Sequence, residues 1–167
     1  MRISTIFQSL VFVSFLGLFS GVSAQSGPPV TLPTNWHTQF PLTNWDDSRA
    51  VVSQQLQTAG ITFHRNAADE FVWTSQAGSL PTESSVMFNT GQKWNRLSVY
   101  HTDQTQAATK LASWLTSFVS LYGTDYTEIN DNEKHQYFWA NENGVQVELV
   151  WYKQDLNFAL RAEFLKL

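Results

Sequence analysis

The chain has 167 residues, no cysteine, and a formal net charge of −4 from 10 Lys+Arg and 14 Asp+Glu. This length fits one or at most two small domains, and the acidic balance argues against a protein held to nucleic acid by phosphate contacts. The lack of cysteine excludes disulfides, thiolate metal sites, cysteine nucleophiles and a lipid-modified N-terminal cysteine.

The first 24 residues have the organisation of a secretory signal peptide. Arg2 supplies a positive start, Leu10–Phe19 an apolar stretch, and Val22–Ala24 small residues before a cleavage site at Gln25. The apolar stretch is about half of the ~20 residues that span a bilayer, which favours a cleaved signal over a membrane anchor. We therefore expect a soluble mature chain with no membrane span, in the periplasm or the external medium. The absence of Asn-x-Ser/Thr triplets is typical of a bacterial exported protein.

Residues 25–43 are predicted to form an extended leader, because four of the five prolines lie there. Proline fixes φ and lacks a backbone N–H, so neither a regular helix nor a central strand fits this segment. The predicted domain occupies residues 44–167.

Two helices, each followed by four short strands, are predicted in this domain. The first covers Trp45–Gly60, with Asn44, Asp46 and Asp47 as capping and first-turn residues and Gly60 as the stop. The second, Gln104–Tyr122, has apolar residues at helical spacing and ends before Gly123. The strand candidates are Ile61–Arg65, Phe71–Ser75, Val86–Asn89, Leu97–His101, Tyr126–Asn130, Gln136–Ala140, Val145–Tyr152 and Phe158–Leu165. Turns are predicted at Asn66–Asp69, Ala77–Glu83 and Thr90–Gln92, and Asn143-Gly144 is a hairpin signal.

Strands joined by short turns favour a mostly antiparallel sheet with helices on one face, and so an α+β fold. The halves 44–101 and 102–167 share the same element order, and Trp73 and Trp139 lie on the second strand of each. Either a tandem duplication or two unrelated α+β halves explains this order.

Two segments, each followed by short strands, carry a resemblance to two families of exported proteins. They are NWDDSRAVVSQQLQTAG and LASWLTSFVSLYG. It resembles the BamE/SmpA-like module, in which helices precede an antiparallel sheet, and the β-lactamase-inhibitor-protein fold, which doubles such a unit. The resemblance covers most of Asn44–Leu167 and concerns element order alone. It implies a non-catalytic, protein-binding role.

Motifs for several kinds of chemistry are absent from the sequence. There is no Gly-x-Ser-x-Gly or Ser-x-x-Lys of a serine nucleophile and no glycine-rich phosphate loop. The four histidines, His37, His64, His101 and His135, are spread along the chain without a paired-ligand motif. We interpret His64 as solvent-facing and His101 as a rim residue, and their convergence across strands would indicate a metal site. No cofactor is predicted.

Two groups of acidic residues are candidates for a cation site or a catalytic site. Residues 125–133 contain four carboxylates but lack the glycine bend and the spacing of a calcium loop, so a solvated turn is favoured over a weak cation site. Asp69 and Glu70 lie in another turn, and a glycosidase would need two carboxylates close together in a cleft.

Aromatic residues are the one unusual signal, with 7 Trp in the chain. Alternation along the strands predicts a sheet face that combines aromatic and hydrogen-bonding side chains, the usual anchors of protein interfaces. Its members are Arg96, Tyr100, Gln146, Glu148, Tyr152 and Arg161, with Glu163 beside them. The alternative is that the rings fill a core that has no disulfides.

These observations predict an exported, non-catalytic domain that binds a protein or other ligand through this sheet face. Two alternatives stay open: a small secreted hydrolase or carbohydrate-acting enzyme, built on His64, His101, Asp69 or Glu70, and a structural component of the cell envelope.

Overall fold

The computed structural model describes residues 32–33, 44–140, 144–153 and 158–167. The predicted signal peptide lies outside these residues, as does the leader apart from Leu32 and Pro33. Within them the chain forms two helices and one antiparallel sheet of eight strands, which confirms the α+β prediction. The elements are α1 (Arg49–Thr58), β1 (His64–Arg65), β2 (Phe71–Ala77), β3 (Leu80–Phe88), β4 (Trp94–His101), α2 (Gln104–Tyr122), β5 (Thr127–Asn130), β6 (Lys134–Ala140), β7 (Val145–Tyr152) and β8 (Leu160–Lys166).

The sheet has the strand order β1-β2-β3-β4-β8-β7-β6-β5. Each half forms a meander of neighbouring strands, and the last strand of each half meets the other at the centre. There β4 and β8 pair antiparallel, with Leu97 opposite Phe164 and Val99 opposite Ala162. The two halves therefore share one continuous sheet, while their common origin stays a prediction.

Helix α1 begins later than the sequence predicted. Ser48, not Asn44 or an aspartate, is the N-cap, and its hydroxyl accepts from the Val51 amide at 3.5 Å. Asp46 has φ +66°, a left-handed conformation that interrupts a helix. Trp45 instead stacks on Trp94 with ring centroids 4.3 Å apart. The predicted start at Trp45 was therefore wrong, because this ring packs on the sheet before the helix begins.

Helix α2 has the predicted bounds, Gln104–Tyr122. The Asp103 carboxylate accepts from the amides of Thr105 and Gln106 at 2.9 and 3.2 Å, which satisfies two of the free donors of the first turn. Gly123 follows the last turn with φ +82°, a backbone conformation that favours glycine. Neither described helix is both long enough and apolar enough to cross a membrane.

The first hairpin is longer than predicted. Residues 77–83 were expected to be a turn, but Ala77 pairs with Leu80 and only Gly78-Ser79 connect β2 to β3. Their neighbours Ser75, Thr82 and Ser84 are polar residues that lie buried within the strands, where their hydroxyls hydrogen-bond one another at 2.8 and 2.9 Å. This bonding lets β3 contain Thr82, which the sequence pattern assigned to a turn. Smaller shifts affect the ends of β1, β4, β5, β6 and β8.

The hydrophobic core lies between the helices and one side of the sheet. Both helices contribute to it, through Val52 and Leu56 in α1 and through residues that include Phe118 in α2. Trp73 and Trp139, on the second strand of each half as predicted, are both buried there. Phe118 contacts Trp139 with ring centroids 5.7 Å apart. For these tryptophans the core-packing interpretation is confirmed.

Leu149→Ala is expected to lower the free energy of unfolding by about 2–5 kcal/mol, because it opens a cavity in a closely packed layer. Leu149 is 0% exposed on β7, whereas Leu121 on α2 is 38% exposed. The matched Leu121→Ala should cost about 0.5 kcal/mol or less. Urea unfolding followed by tryptophan fluorescence measures both variants. Equal losses of unfolding free energy would contradict the placement of Leu149 in the core.

Candidate functional site

Alternate residues of the strands point away from both helices, and we call the side of the sheet they form the open face. The residues of the core cluster lie on the opposite side of the strands, although Val72, Ser85 and Val150 on the open face are at most 3% exposed. The six predicted binding residues all lie on it, on the adjacent strands β4, β8 and β7. They are Arg96, Tyr100, Arg161, Gln146, Glu148 and Tyr152. Their binding role stays a prediction.

Glu163, on β8, is the centre of this set and is only 7% exposed. Arg96 Nε lies 3.5 Å from its Oε1, and a guanidinium nitrogen of Arg161 lies 3.6 Å from Oε2. Ser98 Oγ donates to Oε2 at 3.4 Å. All three contacts are longer than strong hydrogen bonds, so charge attraction from two sides holds this carboxylate in place.

A second carboxylate, Glu148 on β7, lies directly opposite Glu163 across the strand pair. It accepts a hydrogen bond from Gln136 Nε2 at 2.6 Å. Burial raises the pKa of Glu148; Arg161 opposes that shift, and the negative charge of Glu163 adds to it. The two neighbouring carboxyl groups therefore have different environments, since only Glu163 lies between two guanidinium groups.

Aromatic rings border the charged centre on one side. Tyr100 packs against Phe158 with ring centroids 4.5 Å apart, and its hydroxyl donates to Glu83 at 3.1 Å. The Arg161 guanidinium lies 5.5 Å from the centroid of Tyr152 and 5.9 Å from that of Phe158. Burial raises the pKa of both Tyr100 and Tyr152, so both phenols are neutral at physiological pH. Both rings are half-buried and keep part of their surface at the open face.

A depression of about 240 Å³ adjoins Tyr100 where β3 begins and β4 ends. We call it the Glu83 depression. Its lining residues are Thr74, Pro81, Thr82, Glu83, Tyr100, His101 and Thr102. Another depression, of about 330 Å³, lies along α1 at Gln54, Gln55, Thr58 and Ala59. Neither includes the Glu148 and Glu163 pair.

The histidines correct the sequence interpretation in one respect. His64 is exposed, as predicted. His101 is only 9% exposed and so is not a rim residue, because it shares the helix-facing side of β4 with Leu97 and Val99. Its Nδ1 hydrogen-bonds the Pro81 carbonyl. The two imidazoles do not converge, since β2 and β3 separate their strands and they lie on opposite sides of the sheet.

The acidic segment 125–133 was expected to be a turn, but Thr127–Asn130 form β5, and only the residues after it form a self-bonded turn. The Asp131 carboxylate accepts from the amides of Glu133 and Lys134, both at 2.8 Å, and these bonds hold its pKa below the usual range. The Lys153 ammonium donates to Asn130 Oδ1 and to the Asp131 carbonyl. Over the described part of the chain, no group of three or more His, Asp or Glu residues is arranged to hold a metal ion.

The other carboxylate candidates also have structural partners. Asp69 pairs with Arg49 at 2.7 Å and with Arg65, and the Arg65 hydrogen bond does most to lower its pKa. Glu70 accepts from Asn66 Nδ2 at 2.8 Å. Among the described residues, no hydrogen bond or ion pair joins any two of the four residues named for the alternative of a hydrolytic site.

Three residues of the site were not in the predicted binding set. Ser98 has the strand parity of Arg96 and Tyr100, so alternation would have placed it on the open face. Glu83 was missed because its segment was interpreted as a turn. Phe158 precedes β8, and its contact with Tyr100 depends on the path of a connection that no local pattern reveals.

Comparison of the chain with models of known protein families, with curated proteins and with solved structures gave no match. Function is therefore inferred from the geometry of the site.

Glu148→Gln is expected to raise the free energy of unfolding at neutral pH. A carboxyl whose pKa is higher in the folded than in the unfolded chain loses its stabilising contribution as the pH rises through the folded value. The variant cannot ionise, yet it retains an acceptor for Gln136. The difference in unfolding free energy between the variant and the wild type should shrink as the pH falls through the range in which Glu148 becomes protonated. Urea unfolding across that pH range measures this difference.

Glu163, the cross-strand neighbour of Glu148, provides the matched control. Its substitution should lower the free energy of unfolding rather than raise it. Glu163→Gln removes the charge that holds Arg96 and Arg161, so it should cost roughly 1–3 kcal/mol at neutral pH. Destabilisation by both substitutions would contradict the different environments assigned to the two carboxyl groups.

Proposed function

We propose that this chain is an exported, non-catalytic domain that binds a partner protein through the open face. The observation that carries this proposal is the composition of the side of the sheet that faces away from the core cluster. Half-exposed Tyr and Arg side chains lie at its centre, fixed by packing and ion pairs rather than free in solvent.

The dimensions of the open face suit a protein better than a small ligand. The six contiguous strands from β2 to β6 have seven to nine residues each. At ~4.8 Å between strands and ~3.3 Å per residue they cover roughly 730 Å² in projection. Side-chain relief and the two short outer strands add to this area. A standard protein interface takes about 800 Å² from each partner.

The chemistry of the anchors supports the same partner class. Tyr and Arg dominate the energetics of protein interfaces because they combine a large apolar area with directed hydrogen bonds. Tyr100 is held by Phe158 and Glu83, and Arg161 by Glu163 and the ring of Tyr152. Side chains that are already ordered lose less rotamer entropy on binding.

The test is affinity capture from the native extract by three forms of the protein. A partner of the open face should be retained by wild type, lost with the double variant Tyr100→Ala/Tyr152→Ala, and retained by Lys110→Ala, which alters α2 on the other side of the molecule. Because loss of two half-buried rings destabilises the fold, Thr74→Arg serves as a second open-face variant; Thr74 is exposed on β2 and its replacement removes no core contact.

Cross-linking and mass spectrometry then locate the contact on captured partners. Cross-links confined to the open face, together with loss of capture by Thr74→Arg, would support the proposal. Equal capture by every variant, or cross-links confined to the helices, would overturn it.

A further inference from the structure

The two arginines of the open face leave their hydrogen-bond donors unused within the described part of the protein. Arg96 and Arg161 lie on either side of Glu163, at 3.5 Å from one oxygen of its carboxylate and 3.6 Å from the other. Neither guanidinium group donates a hydrogen bond to a described residue. Because a guanidinium carries five N–H donors and no acceptor, both groups keep donors for a ligand that offers oxygen atoms.

The terminal nitrogens are the part of each guanidinium that a ligand can reach. The Nε atoms of Arg96 and Arg161 are buried and unpaired, whereas no terminal nitrogen of either side chain is both buried and unpaired. The two side chains are 33% and 20% exposed. Since the terminal nitrogens donate no hydrogen bond, they lie at the surface of the open face. A ligand above Glu163 therefore meets donors from two sides.

Both guanidinium groups are held in place before any ligand binds. Arg161 pairs with Glu163 and lies against two aromatic rings, 5.5 Å from the centroid of Tyr152 and 5.9 Å from that of Phe158. Arg96 is held by the other oxygen of the same carboxylate. Ordered side chains lose less rotamer entropy on binding, and a planar guanidinium matches a carboxylate through two parallel hydrogen bonds. The pair is therefore suited to a planar, singly charged acceptor.

The charge around Glu163 also favours an anion. Lys134 lies on the same side of the sheet, opposite Tyr152, so three cationic side chains stand against the carboxyl groups of Glu148 and Glu163. Burial does most to raise the pKa of Glu148, and the positive charges of Arg161, Lys134 and Arg96 act against that shift. Even with both carboxyl groups ionised, this part of the open face has an excess of positive charge, which attracts a further carboxylate.

Aromatic rings adjoin the arginines on one side. Tyr152 and Phe158 lie against Arg161, and Tyr100 packs on Phe158. The carboxylate of the Glu83 depression lies beyond Tyr100, which stands between Glu83 and Arg161 in the register of the strands and donates its hydroxyl to Glu83. An apolar side chain that accompanies a bound carboxylate therefore finds rings to pack on.

We propose that the partner of the open face presents a carboxylate to Arg96 and Arg161, beside an apolar side chain that packs on the neighbouring rings. This inference rests on the proposed function and names the chemistry of its partner. Charge complementarity and the unused donors of the two arginines identify the group. An acidic side chain and a free C-terminus are two sources of the same carboxylate.

The test is an NMR titration of the full-length, ¹⁵N-labelled protein with small peptides at neutral pH and constant ionic strength. Acetyl-Phe-Glu-amide carries a side-chain carboxylate, and acetyl-Phe-Gln-amide is its neutral counterpart. Saturable shifts are expected at the amides of Arg96, Ser98, Arg161 and Glu163, with a dissociation constant in the millimolar range. The neutral peptide should bind about fivefold more weakly.

A third peptide, acetyl-Gln-Phe with a free C-terminus, distinguishes the sources of the carboxylate. Tighter binding of acetyl-Phe-Glu-amide supports an acidic side chain of the partner, and tighter binding of acetyl-Gln-Phe supports its C-terminus. Equal binding of the neutral peptide, or no saturable shift with either carboxylate peptide, would overturn the proposal.

Arg96→Gln should weaken binding of the tighter carboxylate peptide about tenfold, because it removes one guanidinium while Arg161 still faces Glu163. Arg65→Gln makes the same change at an exposed arginine on β1 and should leave the affinity at the wild-type value. If Arg96→Gln does not fold, Arg96→Lys keeps the charge beside Glu163 without the planar fork and should weaken binding about threefold. Wild-type affinity in the folded Arg96 variant would contradict the assignment.

This proposal and the proposed function can fail separately. Loss of partner capture with Thr74→Arg, together with normal capture by the folded Arg96 variant, would overturn the carboxylate and leave the open face as the interface. Failure of wild type to capture a partner would leave the titrations unaffected, since the peptides require no natural partner.

Discussion

The antiparallel pairing of β4 with β8 is the interaction on which the rest of the molecule depends. It joins strands from the two halves of the chain, with Ser98 opposite Glu163 and Tyr100 opposite Arg161 on the open face. On the other side the same pairing aligns Leu97 with Phe164 and so makes one core beneath two helices. Without this contact each half would have a small sheet of its own, and the charged centre of the open face would be divided between them.

Local patterns predicted those parts of the fold whose signals are local. Helix α2 was predicted with its bounds because apolar spacing and the Gly123 stop agree. Alternation assigned Arg96 and Tyr100 to one side of β4, and Glu148 and Tyr152 to one side of β7. The pairing of β4 with β8 joins residues 59 to 69 positions apart, and no local pattern encodes which strand lies beside which.

The misassigned elements share a physical cause, namely contacts that outweigh local composition. Thr82 lay in a predicted turn but belongs to β3, where its hydroxyl bonds Ser75, which in turn accepts from Ser84. Trp45 leaves the helix pattern because stacking on Trp94 holds it against the sheet. Contacts also outweigh local composition on the open face. Two guanidinium groups stabilise the buried carboxylate of Glu163, and strand alternation alone does not predict that they lie beside it.

The two margins of the sheet are much shorter than its interior strands. β1 has two residues and β5 has four, whereas the strands between them have seven to nine. Short outer strands offer few unpaired backbone groups for another chain to extend, a common protection against sheet-to-sheet polymerisation. The flat side of the sheet, rather than either short margin, therefore offers the larger continuous surface for recognition.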